Sequence, residues 1–226
     1  MIRKLKIDNL KCIDELNMDC TGLNVLIGTN SSGKSTILQG ILFLVQNLST
    51  AQGLNGDLIS LGTMKENRCL FTGRKEIEVS VWDEEENAVS MQLYMKDEKI
   101  QLHCMTNLED RQRLEKKLDY RAKKVQYLSC HRVGAQNVYE KNMSLLDSIG
   151  TDGKYAVAYL NEHAMDLITM NMCRNQEDFT LLGQVNWWLK YIVGVEISTE
   201  EIPGADMVQA SYRCSGLEKI RQMVTD

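Results

Sequence analysis

The chain opens on IRKLKIDNL, where Ile2, Leu5 and Ile7 stand among basic side chains. That alternation predicts a half-buried strand over residues 2–10. DELNMDC, residues 14–20, predicts a second short strand. LNVLIG, residues 23–28, is almost continuously apolar, the pattern of a strand buried on both faces of a sheet. Beyond it Ile37, Leu38, Ile41, Leu42, Val45 and Leu48 recur at spacings of three and four. They predict a helix from near Gly33 to about Asn47.

Residues 49–62, rich in Gly, Ser and Asn, read as a loop with a short element in it. Residues 75–105 then show three alternating stretches, separated by polar turns at 83–87 and 96–99, and predict an antiparallel meander. Residues 108–124 read as a charged helix and residues 125–130, VQYLSC, as another buried strand. Helices are expected over 152–170 and 178–194, and a late hairpin over 195–214 with Pro203 and Gly204 in its turn. No internal repeat or low-complexity tract interrupts this order, and a single proline leaves no Pro-rich linker to mark a boundary.

Composition narrows the picture only a little. At 226 residues, 43% hydrophobic and 25% charged, the chain is an ordinary globular sequence with room for a sizeable core. A formal net charge of −5 argues against a generic polyanion binder. The seven cysteines show no Cys-x-x-Cys spacing, so a zinc site is not indicated, and reduced, mostly buried thiols in a cytoplasmic protein are expected. The N-terminus lacks a signal-peptide apolar region, and TILQGILFLVQNL is too short and polar to span a bilayer.

Chemistry enters at GTNSSGKST, residues 28–36. Gly28, Gly33, Lys34 and Ser35 meet the pattern G-x-x-x-x-G-K-[ST]. Glycines let successive backbone N–H groups turn toward phosphate oxygens, and the helix that follows adds the partial positive charge of its N-terminus. Lys34 is the catalytic cation for the β and γ phosphates of ATP, and the Ser35 hydroxyl is the Mg²⁺ ligand. Asn30, Ser31, Ser32 and Thr36 complete the expected nucleotide-binding loop. A predicted buried strand before the loop and an amphipathic helix after it supply the context the motif needs.

Residues 7–41, IDNLKCIDELNMDCTGLNVLIGTNSSGKSTILQGI, resemble the start of the ABC-type P-loop ATPases of the SMC, RecF and OLD group. Asn9, Leu10, Lys11, Cys12 and Ile13 stand where that group has an Asn-aromatic-basic-small-aromatic stretch, with aliphatics in place of the aromatics. Asn30 matches its loop asparagine, and Ser31 replaces its usual glycine. YLSCHRVGAQNVYE, residues 127–140, resembles a segment of relatives encoded beside nucleases in prokaryotic defence loci. The resemblance implies an α/β P-loop NTPase sheet with an antiparallel β subdomain and a helical portion. The divisions expected are 1–75, 76–105 and 106–226. It also implies that Lys11 lies against the nucleotide, as a ribose or phosphate contact.

Hydrolysis in that group needs an Asp-Glu pair after an apolar strand, and a Ser-Gly signature motif from the opposite subunit of a head-to-tail dimer. Asp83 and Glu84 follow a strand pattern that alternates, so they read as a solvated hairpin turn. Ser215 and Gly216 read as an ordinary helix start. The expectation is therefore an N-terminal portion of one ATPase domain, its catalytic carboxylates and signature motif supplied elsewhere, by a homodimer or a partner chain. A fragment, half of a split ATPase, and a nucleotide binder without turnover all stay open. So does a non-catalytic module that regulates a partner; a small-substrate kinase ranks last, for want of an arginine-rich lid. Seven Lys and Arg within 111–124, the resemblance to DNA-meeting relatives, and His131-Arg132 at a predicted strand end raise DNA or a nuclease as partners. The bland reading of those cations is a solvated helix of mixed charge. His103 and His163 read as structural, and Trp187 and Trp188 as core with one partly exposed.

Overall fold

A computed structural model describes residues 1–97, 99–134, 136–143, 147–214 and 220–221. The chain divides into two compact units, Met1–Gln126 and Tyr127–Asp226.

The first unit is built on a five-stranded antiparallel sheet in the order β2-β1-β3-β4-β5. Its strands are β1 (Ile2–Leu10), β2 (Ile13–Asp19), β3 (Ile77–Asp83), β4 (Ala88–Lys96) and β5 (Lys99–Cys104). Pairing puts Leu5 opposite Val81, Ile7 opposite Val79, and Val79 opposite Met91, all fully or almost fully buried. The opposite face carries Lys6, Ser80, Ser90 and Gln92, with Ser90 Oγ donating to Ser80 Oγ at 2.7 Å. One dry face and one polar face are what antiparallel alternation allows.

Helix α1 (Lys34–Asn47) crosses the dry face over β1, β3 and β4. Its contact with β1 is close at Gly40, where a Cβ would stand 2.6 Å from Ile7 Cδ1. The apolar spacing places α1 well but misjudges its far end, where Phe43, Leu44, Gln46 and Asn47 are buried too. The loop that follows wraps this end. Gln46 Oε1 accepts from Ile59 N–H at 3.1 Å, and Asn47 Oδ1 accepts from Gly53 N–H at 2.7 Å. Buried amides thus replace a sheet or helix ladder in satisfying the loop backbone. The loop ends in α2 (Met64–Asn67), capped by Thr63 and Glu66. Helix α3 (Leu108–Leu118) packs on β4, and its Arg111 donates to the Leu48 carbonyl just past the C-terminus of α1. That helix stops six residues short of its expected end.

The second unit has an antiparallel sheet in the order β6-β8-β7, from β6 (Val138–Glu140), β7 (Val195–Glu201) and β8 (Met207–Cys214). A short β9 (Ile220–Arg221) also pairs with β8. The late hairpin forms with Val195 opposite Cys214 and Glu201 opposite Val208. Helices α4 (Ala156–Glu162) and α5 (Leu181–Val193) supply Val157, Leu160, Leu182, Val185 and Leu189 to a core closed by Ile197, Val208 and Ala210. Asn186 on α5 bonds both the N–H and the carbonyl of Ile197, at 2.7 and 3.1 Å, and so occupies the free edge of β7. Helix α4 is much shorter than the 152–170 expected, because the chain after Glu162 turns to pair Leu167 with Thr180.

Two expected strands are corrected. Residues 23–28 and 125–130 belong to no strand of the described residues. Both edges of β1 are taken, by β2 and β3, so the apolar run before the loop finds no ladder there. Leu23, Val25 and Ile27 are 80%, 69% and 90% exposed. The chain is a mixed α/β fold, and its described sheets are all antiparallel. The thiols are also less buried than expected, with Cys20 and Cys69 inside and Cys12 and Cys130 exposed.

Candidate functional site

Residues 29–33 turn and lead into α1. Gly33 ends the loop with φ +93°. A Cβ there would also stand 2.9 Å from Cys12 Sγ, so both the backbone angle and the space call for glycine. Ser31 takes φ 63°, the left-handed region that the glycine of the resembling group would enter freely. Lys34 reaches back over the loop. Its Nζ donates to the carbonyls of Gly28 at 2.8 Å and Thr29 at 2.5 Å, with Ser32 Oγ 3.4 Å away.

The N-terminus of α1, like that of α4, has no side-chain cap. Thr63, Asn107 and Thr180 cap α2, α3 and α5 with side-chain oxygens. No side chain caps α1, and its first turn carries no acidic residue. The first N–H groups of a fourteen-residue helix are thus left for another acceptor, which the helix dipole favours as an anion. Gly28, Asn30, Ser31, Ser32, Gly33, Lys34 and Ser35 are brought together around this end. Thr36 points elsewhere: it is buried, with Oγ1 3.8 Å from Cys12 Sγ.

The turn between β1 and β2 forms the flank. Lys11, with φ 53°, extends its ammonium to Gln39 Oε1 of α1 at 2.8 Å. Asn9, in the last residues of β1 before that turn, is wholly buried with φ 60°. Its Nδ2 donates to the carbonyls of Arg74 and Glu76 at 3.1 and 2.6 Å, and its Oδ1 accepts from Cys69 N–H at 3.0 Å. Lys11 N–H donates to Asn67 O at 2.7 Å. One turn therefore holds both the start of α1 and the segment that leads into β3. The sequence marks Asn9 only as a family position, and Gln39 carries no signal in it at all.

Asp83 and Glu84 sit far from this place. Ile2 pairs with Asp83 at one end of β1, and Lys11 follows the other end. Nine residues of strand put about 30 Å between them. The solvated-turn reading is corrected for Asp83, whose side chain is buried. Burial alone would raise its carboxyl. Donors from Lys117, Asn87 and the N–H groups of Glu85 and Asn87 outweigh that and hold it at about 2. Lys117 Nζ is 2.7 Å from it. Glu84 is exposed and pairs with Arg3 and the N-terminal amine. Ser215 and Gly216 lie outside the described residues.

Several of the basic residues of 111–124 have structural partners. Arg111 bonds Leu48 O, Lys117 pairs with Asp83 and Glu85, and Arg121 pairs with Asp57. A cation so engaged is not held ready for a phosphate backbone. In the second unit His131 and Arg132 are exposed and end no strand. His163 joins Asp166 and Asp147 at 2.7 and 3.2 Å. The Asp166 contact lifts its pKa above the ordinary imidazole value, against the lowering effect of burial and with Asp147 adding to the rise. Trp187 stacks on Tyr191 at 5.4 Å, and Trp188 is partly exposed. Among the described residues no three His, Cys, Asp or Glu converge to hold a metal ion, and no helix is long and apolar enough to cross a membrane.

Compared with known proteins, residues 1–176 match the family model of the AAA ATPase domain. No curated protein matches the chain.

Proposed function

The chain belongs to the AAA ATPase domain family, and from that membership we propose that residues 28–36 hold the phosphates of ATP with Mg²⁺. The observation that carries this is the uncapped, acid-free N-terminus of α1 behind a loop spanned by Lys34. In this reading Lys34 leaves the loop carbonyls for the β and γ phosphates, and Ser35 takes the metal ion. Backbone N–H groups of residues 31–35 and the helix dipole supply the rest of the attraction. Lys11 stands at the flank as a second cation.

The finer reading is an ABC-type ATPase of the SMC, RecF and OLD kind, cytoplasmic, with residues 1–226 as the N-terminal portion of its domain. Turnover then uses a carboxylate and a signature motif from a second copy or a partner chain. The exposed apolar segment 23–28 supports this, because bare apolar side chains there suit burial against a chain from outside the unit. A role in defence, with DNA or a nuclease as partner, rests on the resemblance of residues 127–140.

A second reading, nucleotide as a regulatory ligand without turnover, is favoured by Asp83. The strand-end carboxylate is committed to Lys117 and Asn87. Calorimetric titration with Mg-ATP, for the natural chain and Lys34→Ala, tests the binding. Turnover per chain measured against chain concentration separates the two. A rise with concentration supports the shared site. Silence at every concentration with binding intact supports the regulatory ligand. Brisk, concentration-independent turnover lost in Lys34→Ala overturns both.

A further inference from the structure

The second unit carries a slot against α5 that the nucleotide reading does not use. An open cavity of about 560 Å³ lies between α5 and residues 174–178, with Gly183, Trp187 and Lys190 on its helix side. The loop is held from inside. Gln184, itself buried, accepts from the N–H groups of Arg174 and Asn175 at 2.8 and 3.1 Å. It also donates to the carbonyls of Asn175 and Asp178 at 2.7 and 2.5 Å. Tyr191 covers one face of the Trp187 indole, stacked at 5.4 Å with 11° between the planes. Helical side chains lean toward the N-terminus, so the other face looks over Gly183, one turn earlier, which has no side chain to cover it. The Asp178 carboxylate rests there instead: a Cβ on Gly183 would stand 2.2 Å from its Oδ2. Thr180 donates to Asp178 Oδ1 through its hydroxyl at 2.7 Å and its N–H at 2.9 Å, which holds the carboxyl below its ordinary value and ionised at neutral pH. Among the described residues no donor reaches Oδ2.

We propose that this slot binds the guanidinium group of an arginine from a partner protein, stacked on the Trp187 indole and bonded to Asp178 Oδ2. The spacing fits. Residues 183 and 187 set their Cβ positions about 5–6 Å apart on one side of a helix. The carboxylate takes the first position and the indole the second. A flat cation lying on the ring therefore reaches the carboxylate with its edge N–H groups, which joins a cation–π attraction to a charge-assisted hydrogen bond. The charges agree. Lys190 and Glu196 pair with each other at 3.3 Å. That leaves Glu177 and Asp178 against a single cation, Arg174, which lines the same cavity and pairs with neither. Arginine suits the slot better than lysine, because its planar head matches both the ring face and the carboxylate. A polyanion would have to meet Glu177, Asp178 and Glu196 at once.

The test uses the whole chain and follows the Trp187 indole N–H resonance, identified by its loss in Trp187→Phe. The probes are N-acetyl-arginine amide, its uncharged citrulline analogue, N-acetyl-lysine amide and inorganic phosphate. The arginine probe should shift the Trp187 resonance saturably, and the citrulline probe should bind at least about tenfold more weakly. Asp178→Asn, which keeps an acceptor for Thr180, should weaken the arginine probe by about tenfold or more. Gly183→Ala keeps both the ring and the carboxylate but displaces the carboxylate, and should weaken it too. Arg174→Ala should not weaken it. Circular dichroism checks that each variant is folded. Equal binding of the arginine and citrulline probes overturns the proposal, as does an Asp178→Asn that binds arginine as the natural chain does. Equal binding of the lysine probe overturns the guanidinium assignment. A Trp187 resonance that answers to phosphate and not to arginine, with the response lost in Arg174→Ala, makes the slot an anion site and overturns the proposal. A resonance that answers to none of the probes overturns it as well.

Discussion

Lys34 ties its ammonium to the Gly28 and Thr29 carbonyls, contacts that a phosphate would replace with stronger, charge-assisted ones. Lys34→Ala should therefore weaken Mg-ATP binding by at least about tenfold, read by calorimetry, because a hydrogen bond to a charged group contributes about 1.5–3 kcal/mol. Gly40 is a second telling residue. Alanine there gains about 1 kcal/mol of helix propensity. Its Cβ would press on Ile7 Cδ1, which is fully buried and has nowhere to move. Overpacking of that kind costs about 1–3 kcal/mol. Gly40→Ala should lower the urea midpoint despite the better helix former. Ser31, by contrast, occupies a left-handed backbone angle that the motif alone would assign to glycine.

Between elements, the buried link from the β3–β4 turn to α3 is the clearest electrostatic hinge of the first unit. Asp83 accepts from Lys117, from Asn87 and from two backbone N–H groups. Its folded pKa, about 2, lies below the ordinary 3.8. A depressed carboxyl stabilises the fold fully above its ordinary value, and that contribution drains away as the pH falls from about 3.8 toward 2. Denaturant titrations at pH 7 and pH 3 should show a drop in the natural chain that is smaller in Asp83→Asn. At pH 7 the same variant should be less stable by about 2 kcal/mol, since a buried charged acceptor has lost its role. This hinge was hidden in the acidic run DEEE, because four acidic positions look alike in sequence and only Asp83 is turned inward. Strand alternation was more readable. The residues of β3, β4 and β5, and of β7 and β8, lie where period-two patterns put them.

For the whole molecule, the exposed run at 23–28 is the feature with the widest consequences. Ile27 is 90% exposed, so Ile27→Lys should change the stability of the isolated chain by no more than about 0.5 kcal/mol. If a strand from another chain completes the site, the same variant should abolish turnover in the assembled state while leaving Mg-ATP binding intact. Parallel turnover and calorimetric measurements would show it; a variant with full turnover ends that reading. The family match over residues 1–176 makes this chain a member of the AAA ATPase domain family.

By itself the sequence determined what depends on neighbours along the chain. The phosphate-loop motif, the span of α1 and the alternating hairpins are all set by spacing, turn residues and backbone preference. Tertiary structure alone decided what depends on distant partners. It left the apolar run 23–28 bare, because β1 had already given its edges to β2 and β3. It buried Asn9, because a loop far along the chain needed its amide, and Gln46 and Asn47, because the loop that follows α1 folds back over its end. It also set Asp83 about 30 Å along β1 from Lys11, because antiparallel register, not sequence proximity, fixes which strand ends meet.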